Sequence, residues 1–338
     1  MAQLVAALAA GAAAGLGMGY VLQRGQLCFH SMFASALHGR TLLLRGWLLG
    51  VAIASVGLSL LYLTSWSRGL NTGLPFTPVA NIAGGLVIGV GMVVASSCVS
   101  GLFYKLGSGM LGALAGLAGW IAGELAARHV HLPGPTVLGA GPAATFAGVL
   151  GVPRLALSVL LLALVAAVLW RRRSAEQPAY SWQWNAPRLG VALGLVTIAG
   201  WVLARAGGSG FGPSTVGAVA SVASGSPDWW LIAFLVAIVG GAAIAARTAG
   251  GWELRGETPV RYVQLAVGGF LLGAGGWIAG GCNLGHGLSG AAQLNVSSWV
   301  VIASMATGVG LAAKAASTVA GWLPRSPAKA SPKTGYMV

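Results

Sequence analysis

The sequence predicts an all-α polytopic membrane protein of about nine transmembrane helices. They form two inverted repeats whose re-entrant or broken helices meet near the bilayer midplane. Three observations carry this. The 338 residues are 56% hydrophobic and only 7% charged, whereas water-soluble domains carry about 25% charged residues. The apolar residues fall in long unbroken runs, as spanning helices require, and not in the short alternating segments of a membrane β-barrel. Finally, one glycine-rich segment occurs twice. Gly84-Gly85-Leu86-Val87-Ile88-Gly89-Val90-Gly91 leads to Ser96-Ser97-Cys98, and Gly268-Gly269-Phe270-Leu271-Leu272-Gly273-Ala274-Gly275 leads to Gly280-Gly281-Cys282. Without a gap, the four leading glycines and the cysteine coincide, and Gly101 falls on Gly285.

The candidate spans, in order, are residues 3–22, 47–64, 79–97, 110–127, 152–170, 188–205, 229–247, 262–280 and 297–316. The first lacks a basic leading region and runs straight into a cysteine motif, so it is read as a mature helix and not a signal peptide. Several spans approach the roughly 20 apolar residues of a crossing only if the glycine-rich stretches beside them are partly embedded. Those stretches are Arg24 to Phe33, Ser96 to Gly109, Gly207 to Gly217 and Gly280 to Ala291. They are too apolar for aqueous loops and too rich in Gly, Pro and Ser for regular helix. Irregular backbone at that depth survives only where protein or a water-filled cavity shields it. The 55 glycines also suit helices packed closely through small residues.

The charge balance is +14, from 19 Lys and Arg against 5 Asp and Glu. The basic residues lie mainly at helix ends, where they set topology and meet anionic lipid, which removes a nucleic-acid reading. Arg40 and Arg45, then Arg171, Arg172 and Arg173, then Arg247, Arg255 and Arg261, then Arg325, Lys329 and Lys333 form four groups. Placing all four in the cytoplasm puts the N-terminus outside and the C-terminus inside. The other face carries Arg68, Arg128, Arg154 and Asp228. An odd connector span then inverts the second half relative to the first. The expected organisation is one membrane domain: a first repeat over 1–150, a connector over 151–187, a second repeat over 188–323 and a cytoplasmic tail over 324–338. Inverted repeats with interrupted helices place a binding site on the pseudo-twofold axis. Scarce carboxylates favour an anion as cargo, Glu124 being the one acidic residue deep in a span.

Cys28, Cys98 and Cys282 are the candidate chemistry. An isolated cysteine is as readily a small packing residue. Here all three fall in irregular segments, none in a long span, and two are in repeat register. Each of the repeat cysteines is expected at a helix start, where free amides and the helix dipole favour an anion. A thiol adds a weak, polarizable donor suited to a soft sulfur acceptor. At the same ungapped offset Leu27-Cys28 faces Phe211-Gly212, so the third thiol breaks the symmetry and is expected at the inner end of the route. Ser214 would supply a donor at the outer end. Arg24 either meets a passing anion or a helix C-terminus, or snorkels to the cytoplasmic face. Lys105 attracts anions at a vestibule or contacts lipid or a carbonyl. His286, four residues after Cys282, donates to an anion, carries a proton or is a hydrogen-bonded packing residue. Glu124 caps loop amides or pairs with Arg24 or Lys105, with proton coupling as the alternative, and Asn283 and Gln293 are further amides beside the site. No zinc-protease, nucleophile-elbow or phosphate-loop motif is present.

At Gly25-Gln26-Leu27-Cys28, at Ser97-Cys98-Val99-Ser100-Gly101-Leu102-Phe103-Tyr104-Lys105-Leu106-Gly107 and at Gly281-Cys282-Asn283-Leu284-Gly285-His286-Gly287-Leu288-Ser289-Gly290, the chain resembles the YeeE/YedE family of bacterial membrane proteins. The last motif is the most specific, and the resemblance spans nearly the whole chain. It implies an importer of thiosulfate in the inner membrane, with no cofactor, in which the three cysteines pass the anion inward through S–H···S contacts. It also implies a soluble TusA-like sulfur-carrier protein as cytoplasmic partner. Around the first cysteine, Gln26-Leu27-Cys28-Phe29 is less polar than many family motifs. Two alternatives stand beside this reading: another sulfur or selenium compound as cargo, and a membrane-embedded sulfurtransferase that forms a cysteine persulfide.

Overall fold

A computed structural model describes residues 1–130, 132–171 and 176–320. Arg172, Arg173, Arg325, Lys329, Lys333 and the tail over 324–338 lie outside the described residues. Thirteen α-helices follow one another: α1 (Ala2–Gly25), α2 (Phe29–Leu37), α3 (Leu42–Tyr62), α4 (Pro78–Ala95), α5 (Val99–Gly107), α6 (Gly112–Ala127), α7 (Phe146–Leu150), α8 (Arg154–Arg171), α9 (Ala186–Ala206), α10 (Ala218–Ala223), α11 (Trp229–Thr248), α12 (Pro259–Ala279) and α13 (Val296–Ala320). A π-helical turn, Gly285–Gly290, lies between the last two. Their starts are written in the sequence. The side chains of Asn185, Asp228 and Thr258 accept amide N–H bonds from Arg188, Leu231 and Arg261 at 3.1, 3.0 and 3.3 Å. Prolines occupy the first turn of α4, α9 and α12, where the missing N–H is not needed.

Among the described residues eight segments are long and apolar enough to cross a membrane, and the expected fourth span is a shorter apolar helix, Gly112–Ala127. At about 1.5 Å per residue its 16 residues fall short of a roughly 30 Å hydrocarbon core. Its start is delayed because Gly109 takes a φ of +100° and Met110 pairs with Arg255.

The expected interruptions share one geometry. α1, α4 and α12 each end in a left-handed residue, Gln26 (φ 51°), Ser96 (φ 46°) and Gly280 (φ 76°). In each case the next amide reaches back to a carbonyl in the last turn: Leu27 to Leu22, Ser97 to Met92, Gly281 to Gly276. The cysteine is the residue after that. α9 closes the same way, Ser209 bonding back to Ala204 after a left-handed Gly208. By this criterion the counterpart of Cys28 is Gly210, two residues before the Gly212 that an ungapped offset selects.

The packing is two-fold. α1 packs on α11 as α9 packs on α3, and α6 on α12 as α13 on α4. On the axis α4 meets α12, and α1 meets α9. A Cβ at Gly84 would stand 2.5 Å from the Ala279 amide nitrogen, and one at Gly268 would stand 2.5 Å from that of Ala95. The start of each helix therefore lies against the end of its counterpart, so the two copies run in opposite directions. Glycine is required at these crossings because the partner backbone fills the space a side chain would take. α8 stands outside this arrangement and packs on α3 and α7.

Candidate functional site

The three helix breaks converge. Cys28 is the N-cap of α2 and Cys98 the N-cap of α5. Their sulfurs lie 3.4 Å apart, with Cys28 donating to Cys98. Each sulfur also receives an amide from the other loop: the Cys98 N–H donates to Cys28 Sγ at 3.2 Å, and the Phe29 N–H to Cys98 Sγ at 3.3 Å. Gly101 N–H adds a bond to Cys98 Sγ at 3.3 Å. Free amides of two opposed helix starts thus wrap a pair of thiols, and the same donors suit an anionic sulfur.

Cys282 stands at the third break, where Leu284 and Gly285 N–H groups donate to its sulfur at 3.3 and 3.5 Å. Asn283 links it to the pair. The Asn283 Nδ2 donates to Ser100 Oγ at 2.6 Å and approaches Cys98 Sγ at 3.6 Å, while its Oδ1 is buried with no partner among the described residues. All three cysteines are free and buried.

Two vestibules approach this cluster from opposite ends. The first, at the arginine-rich end, has a volume of about 260 Å³; Gln26, His30, Arg40, Ser96, Tyr104 and Lys105 lie in its wall. The second, about 390 Å³, is lined by Ser214, Asp228, Gly280, Gly281 and Gly285 among others. Each is walled by the left-handed residues two positions before its cysteines: Gln26 and Ser96 on one side, Gly280 on the other. Neither cavity reaches a sulfur, so the thiols sit in a closed waist.

The other candidate residues occupy different places. Lys105 lies in the first vestibule with its Nζ on the Ser96 carbonyl at 3.0 Å. Ser214 lines the second, bonded to the Val216 carbonyl at 3.4 Å. Arg24 lies over Trp184, its guanidinium 5.8 Å from the centre of the ring. His286 is held at both nitrogens, Nε2 2.9 Å from the Ala279 carbonyl and Nδ1 2.9 Å from Ser298 Oγ. A carbonyl only accepts, so Nε2 carries the proton toward it, and the ring has no donor left for a ligand while neutral. Glu124 caps loop amides: its Oε1 accepts from Gly217 and Ala220 at 3.0 and 3.2 Å, at the foot of α10. Gln293 is tied to Tyr62 and Asn71, both at 2.7 Å. Ser100 escaped sequence reasoning, although a hydroxyl two residues after a helix-capping cysteine is a visible signal.

The family model described as "Sulphur transport" matches residues 24–311. A thiosulfate transporter TsuA from Spirochaeta thermophila is 32% identical over 314 residues, covering 83% of this chain and 91% of that protein. The thiosulfate transporter TsuA of Escherichia coli K12 is 23% identical over 320 residues, covering 86% and 90%. A probable transporter YedE of the same organism is 29% identical over 98 residues, 29% of this chain and 23% of that protein.

Proposed function

This chain belongs to the sulphur-transport family, and from that membership we propose that it imports thiosulfate across the bacterial inner membrane. The observation that carries the reading is the closed waist of three buried thiols between two opposed vestibules. Thiosulfate pairs a soft terminal sulfur with hard sulfonate oxygens. Its sulfur suits the S–H donors of Cys282, Cys98 and Cys28, and its oxygens suit the amide N–H groups at the helix starts.

The anion enters past Ser214, meets Cys282, passes Asn283 to the Cys98–Cys28 pair and leaves by the vestibule holding Lys105. The direction follows from the arginine-rich end being cytoplasmic, with the N-terminus outside. A soluble TusA-like sulfur carrier would receive the cargo there. Arg24 and His286 act as positioning residues, one for the loop at Trp184 and the other for the Cys282 break. The sequence divides into repeats over 1–150 and 188–323 with a connector between them.

Uptake of radiolabelled thiosulfate into proteoliposomes, with sulfate and selenite as competitors, tests this. Saturable uptake that sulfate does not inhibit is expected, and it is lost in Cys98→Ala and Cys282→Ala. Preference for selenite would change the cargo. Gain of one sulfur atom on a cysteine in step with turnover, read by intact mass, would replace the relay with persulfide chemistry.

A further inference from the structure

We propose that an anionic phospholipid binds in the groove between α3, α8 and α9 at the arginine-rich end. Arg45 and Arg188 hold its phosphate, and an acyl chain lies against Leu49, Ala166 and Leu169.

α8 is the least enclosed of the long helices: 6% of its apolar window is buried, against 44–56% in the other seven. Near its start it is pinned to α3, where Ser158 Oγ bonds to Ser55 and Ser59 at 2.7 and 2.8 Å. At its far end a space of about 870 Å³ opens, lined by both arginines, the three apolar side chains and Trp170. The lining says which kind of lipid fits that space.

Charge sits at the rim and apolar surface below it. Leu49 lies one turn deeper than Arg45 on the same face of α3, and Ala166 one turn deeper than Trp170 on α8. Tryptophan at such a level marks the headgroup region. Neither Arg45 nor Arg188 has an acidic partner among the described residues. The carboxylate in the lining, Glu176, is engaged elsewhere. It accepts the Thr41 and Leu42 N–H groups at 2.8 and 2.9 Å and pairs with Arg40 at 3.9 Å. A cationic rim above an apolar slot matches a phosphodiester with an acyl chain. A protein segment would not need the arginines, and a free anion would not need the slot.

The occupant has a structural consequence. Glu176, Gln177, Tyr180 and Gln183 line both this groove and the vestibule approaching Cys28. A lipid in the groove braces that shared wall.

Native mass spectrometry of the detergent-purified full chain tests the site without reference to transport. Titrated with phosphatidylglycerol or phosphatidylcholine, the wild type should retain one phosphatidylglycerol with a preference of about tenfold or more, as two arginines near an anionic headgroup imply. Arg45→Gln/Arg188→Gln should lose that preference. Leu49→Trp, which fills the slot and keeps both arginines, should lose it too, and Arg188→Gln alone, at an exposed position, should weaken it. Wild-type retention in the double variant or in Leu49→Trp overturns the proposal. So does displacement of the lipid by glycerol phosphate at equal concentration, which would mark a site for small anions only.

Discussion

Cys28 and Cys98, far apart in sequence, lie 3.4 Å apart through their sulfurs, and each loop donates an amide to the other's thiol. Mutual amide donation locks the two helix starts into one unit, so the pair is available for a two-electron oxidation. Treatment with diamide should join Cys28 to Cys98, the two thiols giving up two electrons and two protons to the diazene. Cys282 should remain open to alkylation under denaturing conditions. Peptide mapping without reductant reads the link, and uptake should stop until the bond is reduced. A dominant link through Cys282 would contradict the observed pairing.

The pairing also sets how Cys28 responds to mutation. Because Cys28 Sγ accepts the Cys98 amide, removing it disturbs both thiols of the pair. Cys28→Ala should therefore reduce uptake by about tenfold or more, which corresponds to ~1.4 kcal/mol, toward the loss expected of Cys98→Ala. Near-normal uptake in Cys28→Ala would return that residue to a packing role.

Next to Cys282 in the chain, Asn283 reaches across to Ser100 and Cys98 with its side chain. Asn283→Ala removes a donor and should slow uptake while the protein stays folded. Asn283→Asp places an acceptor-only carboxylate against an arriving anion and should be more severe than alanine. Initial uptake rates beside a thermal melt separate these outcomes; equal rates for all three proteins would remove Asn283 from the route.

Much of this was legible because repeats are written in spacing. Gly84 and Gly268 mark the crossing helices, and the cysteines fall where glycine, serine and apolar runs break. The antiparallel pairing of α4 with α12 followed from span parity. What was not legible depends on contacts between distant segments. Nothing local to Leu27-Cys28 says that it touches Cys98, or that Arg24 lies over Trp184. The Gly212 alignment failed because the end of α9 is set by the left-handed Gly208, a backbone state that several glycines in Gly207-Gly208-Ser209-Gly210 could adopt. The sequence leaves His286 open between anion donor, proton carrier and packing residue, because its partners Ser298 and Ala279 come from separate elements.

Glu124 offers a sharp test of capping against proton coupling. Its Oε1 accepts two amides below α10, and its Oε2 has no partner among the described residues. A cap needs only an acceptor oxygen, which glutamine keeps. Glu124→Gln should transport close to wild type, whereas Glu124→Ala leaves the buried Ala220 amide unsatisfied and should cost about 1–3 kcal/mol of stability. If Glu124→Gln folds normally yet abolishes uptake, the carboxyl carries a proton.

The close crossing of α1 and α11 makes the last prediction. Gly11, Gly15 and Gly19 form one face of α1, and a Cβ on any of them would collide with the Trp230, Phe234 or Ile238 carbonyl of α11. A backbone carbonyl cannot swing aside as a side chain can, so even a methyl group forces the helices apart. Gly19→Ala should destabilise the protein by about 1–3 kcal/mol, the usual cost of overpacking. Gly310→Ala, whose Cβ would meet nothing within 4 Å, serves as the control and should melt like wild type. Because α1 also leads directly into the Gln26–Cys28 break, Gly19→Ala should lower uptake at temperatures where the protein is still folded. Unchanged melting of Gly19→Ala would show that α1 and α11 do not meet this closely.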